Sequence, residues 1–371
     1  MSDLVTNEER HAPAPSVPPL LRMTEQTPTR LWNDSATPRE LSAAIGWGAV
    51  GATCNPVIAL AALRDDLPLW QRRMREHADE HPTASESQIG WAMVEELSVE
   101  AASLLADAFA EHAGRNGRLS VQTDPRLYRD ADALVAQAVQ FDALAPNFIV
   151  KMPATEEGIR AMEEATYRGV SINATVSFTV PQAVAVAEAI ERGLARREME
   201  GLDVAGMGPV CTIMVGRLDD WLKAVAVRDG VTVDPGIFEW AGVAVFKRAY
   251  RIFHDRGFRT RLLSAAFRNH MHWSQLVGGD VVISPPFEWQ VRLNASGIEP
   301  LPRIDEPVAD AVLGALLDNL PEFRRAYDPD GMTIGEFEGF GATRRTLRQF
   351  LGACADLEGV VRDVLLPDPA K

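Results

Sequence analysis

Lysine and cysteine are the scarce residues of this 371-residue sequence. Four of its 37 Lys and Arg residues are lysines, and its three cysteines, Cys54, Cys211 and Cys354, lie far apart. The cysteine spacing excludes a CxxC motif and the usual zinc motifs, and it fits a reducing compartment. No uninterrupted apolar run approaches the length of a membrane span, and the N-terminus lacks the basic-then-apolar order of a signal peptide. We therefore expect a cytoplasmic protein that does not act at a membrane.

The composition is that of a globular protein with an excess of negative charge. Hydrophobic residues make up 46% of the chain, charged residues make up 24%, and the formal net charge is −15. Such a charge argues against a nucleic-acid partner and against an anionic membrane surface. A phosphorylated substrate would need a local group of arginines that overcomes the acidic surroundings.

Eight short apolar runs alternate with segments of helical periodicity. The helical segments include 130–144, 156–167 and 181–194, and two connections, 56–117 and 215–258, are long enough for several helices. Eight strand–helix units predict a (β/α)8 TIM barrel with extra helices and a C-terminal helical extension. The predicted strands are 30–34, 50–54, 118–122, 148–152, 169–173, 209–214, 261–264 and 280–284.

The main alternative fold is an open, doubly wound α/β sheet. The sequence has neither a Gly-x-Gly-x-x-Gly segment after the first strand nor a P-loop motif, so the barrel is favoured. We expect a flexible N-terminal tail over residues 1–29, because it contains five prolines among polar residues. The barrel with its helical insertions is expected over 30–290, and helices that pack on it over 291–371.

Lys151 is the residue that most directly indicates chemistry. It lies in the apolar run Asn147-Phe-Ile-Val-Lys-Met-Pro153, although this chain supplies nearly all of its positive charge with arginine. A lysine in apolar surroundings is shifted toward the free amine, which can attack a carbonyl and form a Schiff base. The simpler alternative is a solvated lysine at the end of a strand.

Other polar residues occur near the predicted strand ends, which meet at one mouth in a barrel. Each has a structural alternative. Asp34 could cap the helix that begins near Pro38, and Asn55, Thr155 and Thr175 could serve turns or helix caps. Arg217 and Arg268 could form surface ion pairs. The set of strand-end residues comprises Asp34, Thr53, Asn55, Gln122, Lys151, Asn173, Thr175, Thr212 and Arg268.

Six segments of the sequence resemble the signature segments of the transaldolase family, whose members are class I, Schiff-base-forming aldolases. The resemblance covers about residues 30–285, and the combination of K-x-P-x-T with N-x-T and V-G-R is specific. The quoted segments are Leu31-Trp-Asn-Asp-Ser35, Ala52-Thr-Cys-Asn-Pro56, Val150-Lys-Met-Pro-Ala-Thr155, Gly169-Val-Ser-Ile-Asn-Ala-Thr175, Val215-Gly-Arg-Leu-Asp-Asp-Trp221 and Ala265-Ala-Phe-Arg-Asn269.

The resemblance implies a catalytic set and a substrate class. Lys151 would attack the keto carbon of a sugar phosphate such as fructose 6-phosphate, and Asp34 would exchange the proton of the hydroxyl beyond the scissile bond. Thr175 would hold a water beside the lysine. Asn55 and Asn173, with Thr53 and Thr212 beside them, would bind the dihydroxyacetone unit, and Arg217 and Arg268 would bind the phosphate. No metal and no organic cofactor is implied.

Gln122 is the main departure from the family pattern. Most transaldolases carry glutamate there, whereas the fructose-6-phosphate aldolase branch carries glutamine together with a tyrosine at the position of Met214. This chain matches neither branch fully. We expect transfer of a dihydroxyacetone unit between sugars, with two alternatives: an aldolase that releases free dihydroxyacetone, and a non-catalytic sugar-phosphate-binding barrel. The expected partners are sugar phosphates, and a homodimer is a candidate assembly because added helices often form a dimer surface.

Overall fold

Eight parallel strands close into a barrel in sequence order, as predicted. The computed structural model describes residues 17–370. Each strand pairs with its sequence neighbours, and β1 closes the barrel on β8. The strands are β1 (Arg30–Asn33), β2 (Ala49–Cys54), β3 (Arg118–Gln122), β4 (Phe148–Pro153), β5 (Ile172–Ser177), β6 (Val210–Ile213), β7 (Arg261–Ala265) and β8 (Val282–Ser284).

The helices surround the barrel, and the two long connections are helical as expected. The described residues contain α1 (Pro19–Gln26), α2 (Pro38–Ile45), α3 (Pro56–Asp65), α4 (Leu67–Glu80), α5 (Glu86–Ser103), α6 (Ala106–Glu111), α7 (Ala131–Asp142), α8 (Glu156–Tyr167), α9 (Val180–Met199), α10 (Val215–Asp229), α11 (Ala241–Arg256), α12 (Met271–Ser274), α13 (Phe287–Ala295), α14 (Asp310–Asn319), α15 (Pro321–Tyr327) and α16 (Gly341–Leu365), with short 3-10 turns at Pro125–Leu127, Pro235–Trp240 and Ile334–Glu336.

The fifth strand lies three residues later than predicted. Helix α8 runs to Tyr167, and Gly169 follows with a φ of +98°, which is outside the extended region that a strand requires. β5 therefore begins at Ile172, and Asn173 is its second residue rather than its last. This correction matters because it places Asn173 directly beside Lys151 on β4.

The predicted flexible tail is wrong for the part of it that the structure describes. Residues 1–16 lie outside the described residues, but Pro19–Gln26 form α1, with Leu20 and Met23 fully buried. Pro19 stands at the first helical position, where its missing N–H costs no hydrogen bond. The prolines that suggested disorder include one that starts a helix.

The C-terminal helices extend over the mouth of the barrel. Helix α13 crosses the predicted boundary at residue 290 and follows β8 directly, so it belongs to the barrel. Helix α16 approaches Trp221 in the second turn of α10 closely: a Cβ added at Gly341 would lie 2.0 Å from the Trp221 ring. Its Thr343 is 3.5 Å from Gln182 of α9. These contacts hold α16 across the C-terminal ends of the strands.

The barrel interior has an apolar lower layer. A side-chain cluster drawn only from strands fills it, and Trp32 is fully buried at its centre. Gly51 of β2 faces this indole, since an added Cβ would lie 2.5 Å from the ring. The remaining buried members of the cluster are Ile149, Val210, Leu263, Ala265 and Val282. The polar side chains of the predicted site lie in the layer above, toward the C-terminal mouth.

Candidate active site

Strand register brings Lys151 together with two other predicted residues. Lys151 of β4 is paired with Gln122 of β3 on one side and with Asn173 of β5 on the other. Residues in register on neighbouring parallel strands point to the same face, and here that face is the barrel interior. The amine is therefore flanked by two carboxamides, which can donate to and accept from an oxygen-rich ligand.

The Lys151 side chain is almost completely withdrawn from solvent. It is 2% exposed, and burial lowers the pKa of its ammonium. The nearby Asp34 carboxylate opposes this shift, whereas Arg217 acts in the same direction as burial. The alternative of a solvated strand-end lysine is therefore wrong. A lowered pKa enlarges the free-amine fraction at neutral pH, which is the form that attacks a carbonyl.

Asp34 faces the site and does not cap a helix. The N-cap of α2 is Thr37, so the capping alternative for Asp34 is wrong. Its carboxylate instead accepts a hydrogen bond of 2.5 Å from Thr53 Oγ1 at the end of β2. The backbone N–H of Asp34 donates to the carbonyl of Pro285, just after β8. Two strand ends therefore fix a half-buried carboxylate beside the lysine.

A chain of hydrogen bonds fixes Asn173 across three strands. Its Nδ2 donates to Ser120 Oγ of β3 at 2.9 Å, and its Oδ1 accepts from Thr212 Oγ1 of β6 at 2.7 Å. Both Asn173 and Thr212 were predicted for the site, whereas Ser120 was not. The period-two pattern of β3 would have identified Ser120, because it lies two residues before Gln122 and points to the same face.

Two of the predicted residues present buried polar atoms without a protein partner. Gln122 Oε1 and Thr175 Oγ1 have no hydrogen bond among the described residues. Both side chains are at most 3% exposed. Buried polar atoms are normally paired with protein or water, so these atoms are places where a water or a substrate hydroxyl can bind. Thr175 therefore does not cap a helix; Thr179 caps α9.

Two of the other capping alternatives are realised. Thr155 Oγ1 accepts from the backbone N–H of Gly158 and caps α8. Asn55 Oδ1 accepts from the backbone N–H groups of Val57 and Ile58 at 2.9 and 3.1 Å and caps α3. The cap engages only Oδ1 of Asn55. It orients the amide at the end of β2, next to Thr53.

Two arginines predicted for phosphate lie at the rim of the mouth. Arg217 donates to Gln349 Oε1 at 2.6 Å and to Thr346 Oγ1 at 3.2 Å, both on α16, and its guanidinium lies over Phe350. Burial, with the repulsion of Arg268, lowers its pKa to about 10. It makes no ion pair with a carboxylate in the described part of the chain, so the ion-pair alternative is wrong for Arg217.

Arg268 does form an ion pair, with Asp220 at 2.9 Å. The backbone of Arg268 is held by a second pair, His272 with Asp219. This pair is buried, and the sequence did not indicate it. His272 Nδ1 accepts from the N–H of Arg268 at 3.0 Å, so Nε2 carries the proton and donates to Asp219 Oδ2 at 2.8 Å. Both members of the pair are fully buried, and Gly242 N–H donates to the other Asp219 oxygen. The pair connects α10 to the Arg268 loop.

Gly216 allows the two arginines to approach each other. A Cβ there would lie 2.1 Å from the carbonyl oxygen of Ala266 and 2.6 Å from Arg268 Cγ. Ala266 itself has a φ of +63°, a conformation that non-glycine residues rarely adopt. The glycine between Val215 and Arg217 is therefore a packing requirement of the rim.

Residues 17–370 contain no group of three or more His, Cys, Asp or Glu side chains arranged to hold a metal ion. Within the same residues, every helix is too short or too polar to cross a membrane.

Comparison with known proteins agrees with this geometry. The family model described as transaldolase/fructose-6-phosphate aldolase matches residues 31–297. A transaldolase of Thiobacillus denitrificans is 28% identical over 292 residues, which cover 71% of this chain and 79% of that protein. Transaldolase 1 of Streptomyces coelicolor is 31% identical over 209 residues, or 56% of this chain and 54% of the relative. The match thus spans about half the length of the Streptomyces protein.

Proposed function

Since the chain belongs to the transaldolase/fructose-6-phosphate aldolase family, we propose that it transfers a dihydroxyacetone unit from a ketose phosphate to an aldose acceptor through a Schiff base on Lys151. The observation that carries this proposal is the buried amine of Lys151, whose pKa is lowered and which lies beside the Asp34 carboxylate at the mouth of the barrel. A residue that served only to bind a phosphate would gain nothing from a lowered pKa.

Lys151 and Asp34 divide the chemistry between nucleophile and base. The free amine adds to the keto carbon, and loss of water gives an iminium that withdraws electrons from the neighbouring carbon–carbon bond. Asp34 accepts the proton of the hydroxyl beyond that bond, which breaks to release an aldose phosphate and leave an enamine on Lys151. The enamine attacks the acceptor aldehyde, and Asp34 returns the proton to the new hydroxyl. Water then hydrolyses the resulting iminium, which releases the product ketose and restores the free amine of Lys151.

The remaining residues bind the two ends of the substrate. The amides of Asn55 and Asn173, with the hydroxyls of Thr53 and Thr212, are suited to the hydroxyl groups of the dihydroxyacetone unit. Arg217 and Arg268 present forked donors to the phosphate, and their positive charge acts at short range within an acidic protein. Thr346 and Gln349 of α16 hold the Arg217 guanidinium in place before substrate binds.

Aldol cleavage with release of free dihydroxyacetone is the second candidate function. Gln122 favours it, because the fructose-6-phosphate aldolase branch of the family carries glutamine at this position. A carboxamide, however, can hold a water through its unpartnered Oε1 but cannot exchange a proton with it at neutral pH. Slow hydrolysis of the enamine would by itself favour transfer to an aldehyde. The unusual Thr212-Ile213-Met214 segment at the end of β6 changes the wall of the mouth and therefore bears on the choice of acceptor.

Borohydride reduction in the presence of fructose 6-phosphate tests the proposal. We expect intact-protein mass spectra to show a dihydroxyacetone adduct, and peptide mapping to place it on Lys151. Product analysis with and without erythrose 4-phosphate separates the two functions. If dihydroxyacetone is released without an acceptor as fast as fructose 6-phosphate is consumed with one, the transferase function is contradicted. If no adduct forms with any of several ketose phosphates, both functions are contradicted.

Replacing Gln122 with glutamate is expected to accelerate exchange of pentose-phosphate sugars. The carboxylate can relay a proton through the bound water to the lysine, and positioned proton transfer typically contributes about 10²–10⁴-fold. The measurement is kcat in the transfer assay. Gln122→Leu, which removes the polar group at a similar volume, is the matched control and should be slower than the parent. A Gln122→Glu variant no faster than the parent would show that proton relay at this position does not limit turnover.

Replacing Asp219 with asparagine is expected to weaken phosphate recognition selectively. The change disturbs the proton arrangement of the buried pair with His272, and thereby the backbone position of Arg268. We expect KM for a phosphorylated aldehyde acceptor to rise by about tenfold, a loss typical of one charge-assisted hydrogen bond, while kcat/KM for unphosphorylated glyceraldehyde changes little. Asp229→Asn, on the exposed end of the same helix, is the control. Equal losses with both acceptors would contradict a positioning role.

A further inference from the structure

Val176, near the end of β5, has a backbone conformation that valine rarely adopts. Its φ is +53°, in the left-handed region, where a β-branched side chain crowds the backbone. The pairing of β5 with β6 is irregular at the same place, because between Ala174 and Ser177 β5 advances three residues while β6 advances two. Such a β-bulge can re-aim a neighbouring side chain beside an active site. A strained conformation of this kind persists only where surrounding contacts enforce it.

Val176 directly follows Thr175, whose hydroxyl is expected to hold the water beside Lys151. Thr175 lies two residues after Asn173 and therefore points to the same face of β5, toward the barrel interior. Its Oγ1 is buried and has no hydrogen-bond partner among the residues that the structure describes. The pairing of β4 with β5 ends at Pro153 and Thr175, so this ladder does not reach Val176. Another contact must fix the backbone that follows Thr175.

Gln182, in the first turn of α9, makes that contact. Its side chain is fully buried, and its Nε2 donates to the carbonyls of Ala154 and Val176 at 3.0 Å each. These two carbonyls follow directly after the last paired residues of β4 and β5. The amide therefore joins the two strand ends at the point where their own ladder stops. Its bond to the Val176 carbonyl holds the strained peptide in place.

Helix capping accounts for only half of the Gln182 side chain. Thr179 is the N-cap of α9, and a glutamine three residues after a threonine fits the capping-box pattern. Gln182 Oε1 accepts from the Thr179 hydroxyl at 3.1 Å and from the Phe178 backbone N–H at 3.0 Å. Glutamate would serve this part equally well. The bonds from Nε2 to two carbonyls require an amide, because a carboxylate has no donor.

We propose that Gln182 is a positioning residue for the transfer reaction. By holding the Val176 bulge, it aims the Thr175 hydroxyl at the water that takes part in forming and hydrolysing the Schiff base on Lys151. Thr175 touches this water, and Gln182 acts only through Thr175. The inference rests on the proposed function and extends it, since it makes one step of the reaction depend on a residue of α9 outside the barrel interior.

Rapid mixing of the full-length Gln182→Met variant with fructose 6-phosphate tests this inference. The measurement is the rate at which an adduct that borohydride can trap appears. Methionine has a similar volume and no donor, so we expect this rate to fall by about 10- to 100-fold through misplacement of the water. Thr175→Val should slow it at least as much. The double variant should be no more than about twofold slower than Thr175→Val alone, because the two residues act as a unit. Losses that multiply would overturn the proposal.

Two further variants separate positioning from a loss of stability. Lys247 also bridges two backbone carbonyls, those of Arg303 and Glu306, but it lies on α11. Lys247→Met should lower the melting temperature and leave the adduct rate unchanged. Adding Val176→Gly to Gln182→Met should speed adduct formation at least about threefold, since glycine adopts a positive φ without support. The melting temperature should nevertheless fall further, because the Val176 side chain is fully buried. No recovery of the rate, or equal slowing by Lys247→Met, would overturn the proposal.

Gln182→Glu decides the question if Gln182→Met does not fold. Glutamate keeps the cap acceptor and, even when protonated, can donate to only one of the two carbonyls. We expect slower adduct formation and the same lack of additivity with Thr175→Val. A parent protein that forms no adduct on Lys151 would contradict the transfer reaction itself. A parent that forms the adduct, with Gln182 variants that form it equally fast, would overturn only the positioning role.

Discussion

Replacing Lys151 with methionine is expected to lower kcat/KM for dihydroxyacetone transfer by at least about 10⁴-fold, because the covalent intermediate can no longer form. The fold should survive the change. Methionine fills a volume similar to that of the lysine stem, and it removes an amine that is costly to bury in the interior. The measurements are steady-state kinetics, borohydride trapping and thermal unfolding, with a melting temperature equal to or above that of the parent.

Lys247 provides a matched control, since it is the other buried lysine of the described residues. It is 3% exposed, and burial lowers its pKa to about 8. Its Nζ, however, donates to the carbonyls of Arg303 and Glu306 at 2.7 Å each, so the amine is committed to holding the 303–306 loop on α11. Lys247→Met should therefore lower stability by about 1–3 kcal/mol and leave trapping intact. Trapping that disappears with Lys247→Met but persists with Lys151→Met would overturn the assignment.

The two lysines show what the sequence could and could not decide. Both occur in apolar segments, and a lowered pKa alone would not separate them. The sequence indicates Lys151 because this residue lies in a predicted barrel strand and its flanking residues resemble a family signature. The structure adds the physical difference: one amine faces the mouth beside a carboxylate, and the other is saturated by backbone carbonyls.

Most of the fold was predictable because barrel strands are continuous apolar runs bounded by polar turns. The errors occurred where local signals were ambiguous. Val170 and Ser171 suit a strand, but Gly169 still belongs to the left-handed end of the preceding helix, so β5 begins later. The prolines of residues 1–29 predict disorder, but proline is also favoured in the first turn of a helix, where Pro19 lies.

The site was predictable only in part, because some of its contacts join distant segments. The strand-end residues follow from the period of the strands, and register then places Gln122 and Asn173 beside Lys151. The pairing of Asp219 with His272 spans 53 residues, and that of Arg217 with Gln349 spans 132. No local pattern indicates such pairs. They depend on how α10, α12 and α16 pack, which is decided by the whole tertiary structure.

Replacing Asp34 with asparagine is expected to lower kcat by about 10²–10⁴-fold, the usual contribution of a positioned general base. Asparagine preserves the shape and can still accept the hydrogen bond from Thr53 Oγ1. Schiff-base formation on Lys151 does not require this carboxylate, whereas cleavage of the carbon–carbon bond does. Borohydride should therefore trap the uncleaved ketose phosphate on the Asp34→Asn variant, instead of the dihydroxyacetone unit trapped on the parent enzyme.

The pH dependence gives the same substitution a second readout. Asp34 raises the pKa of Lys151 against the effect of burial, so its neutralisation should lower that pKa further. The free amine then persists to lower pH, and the acidic limb of the rate of adduct formation should move to lower pH. Thr53→Val, which keeps the carboxylate and removes only its hydrogen-bond donor, should reduce kcat by about tenfold or less. An Asp34→Asn variant that still accumulates the dihydroxyacetone adduct at the parent's rate would show that another group removes the proton.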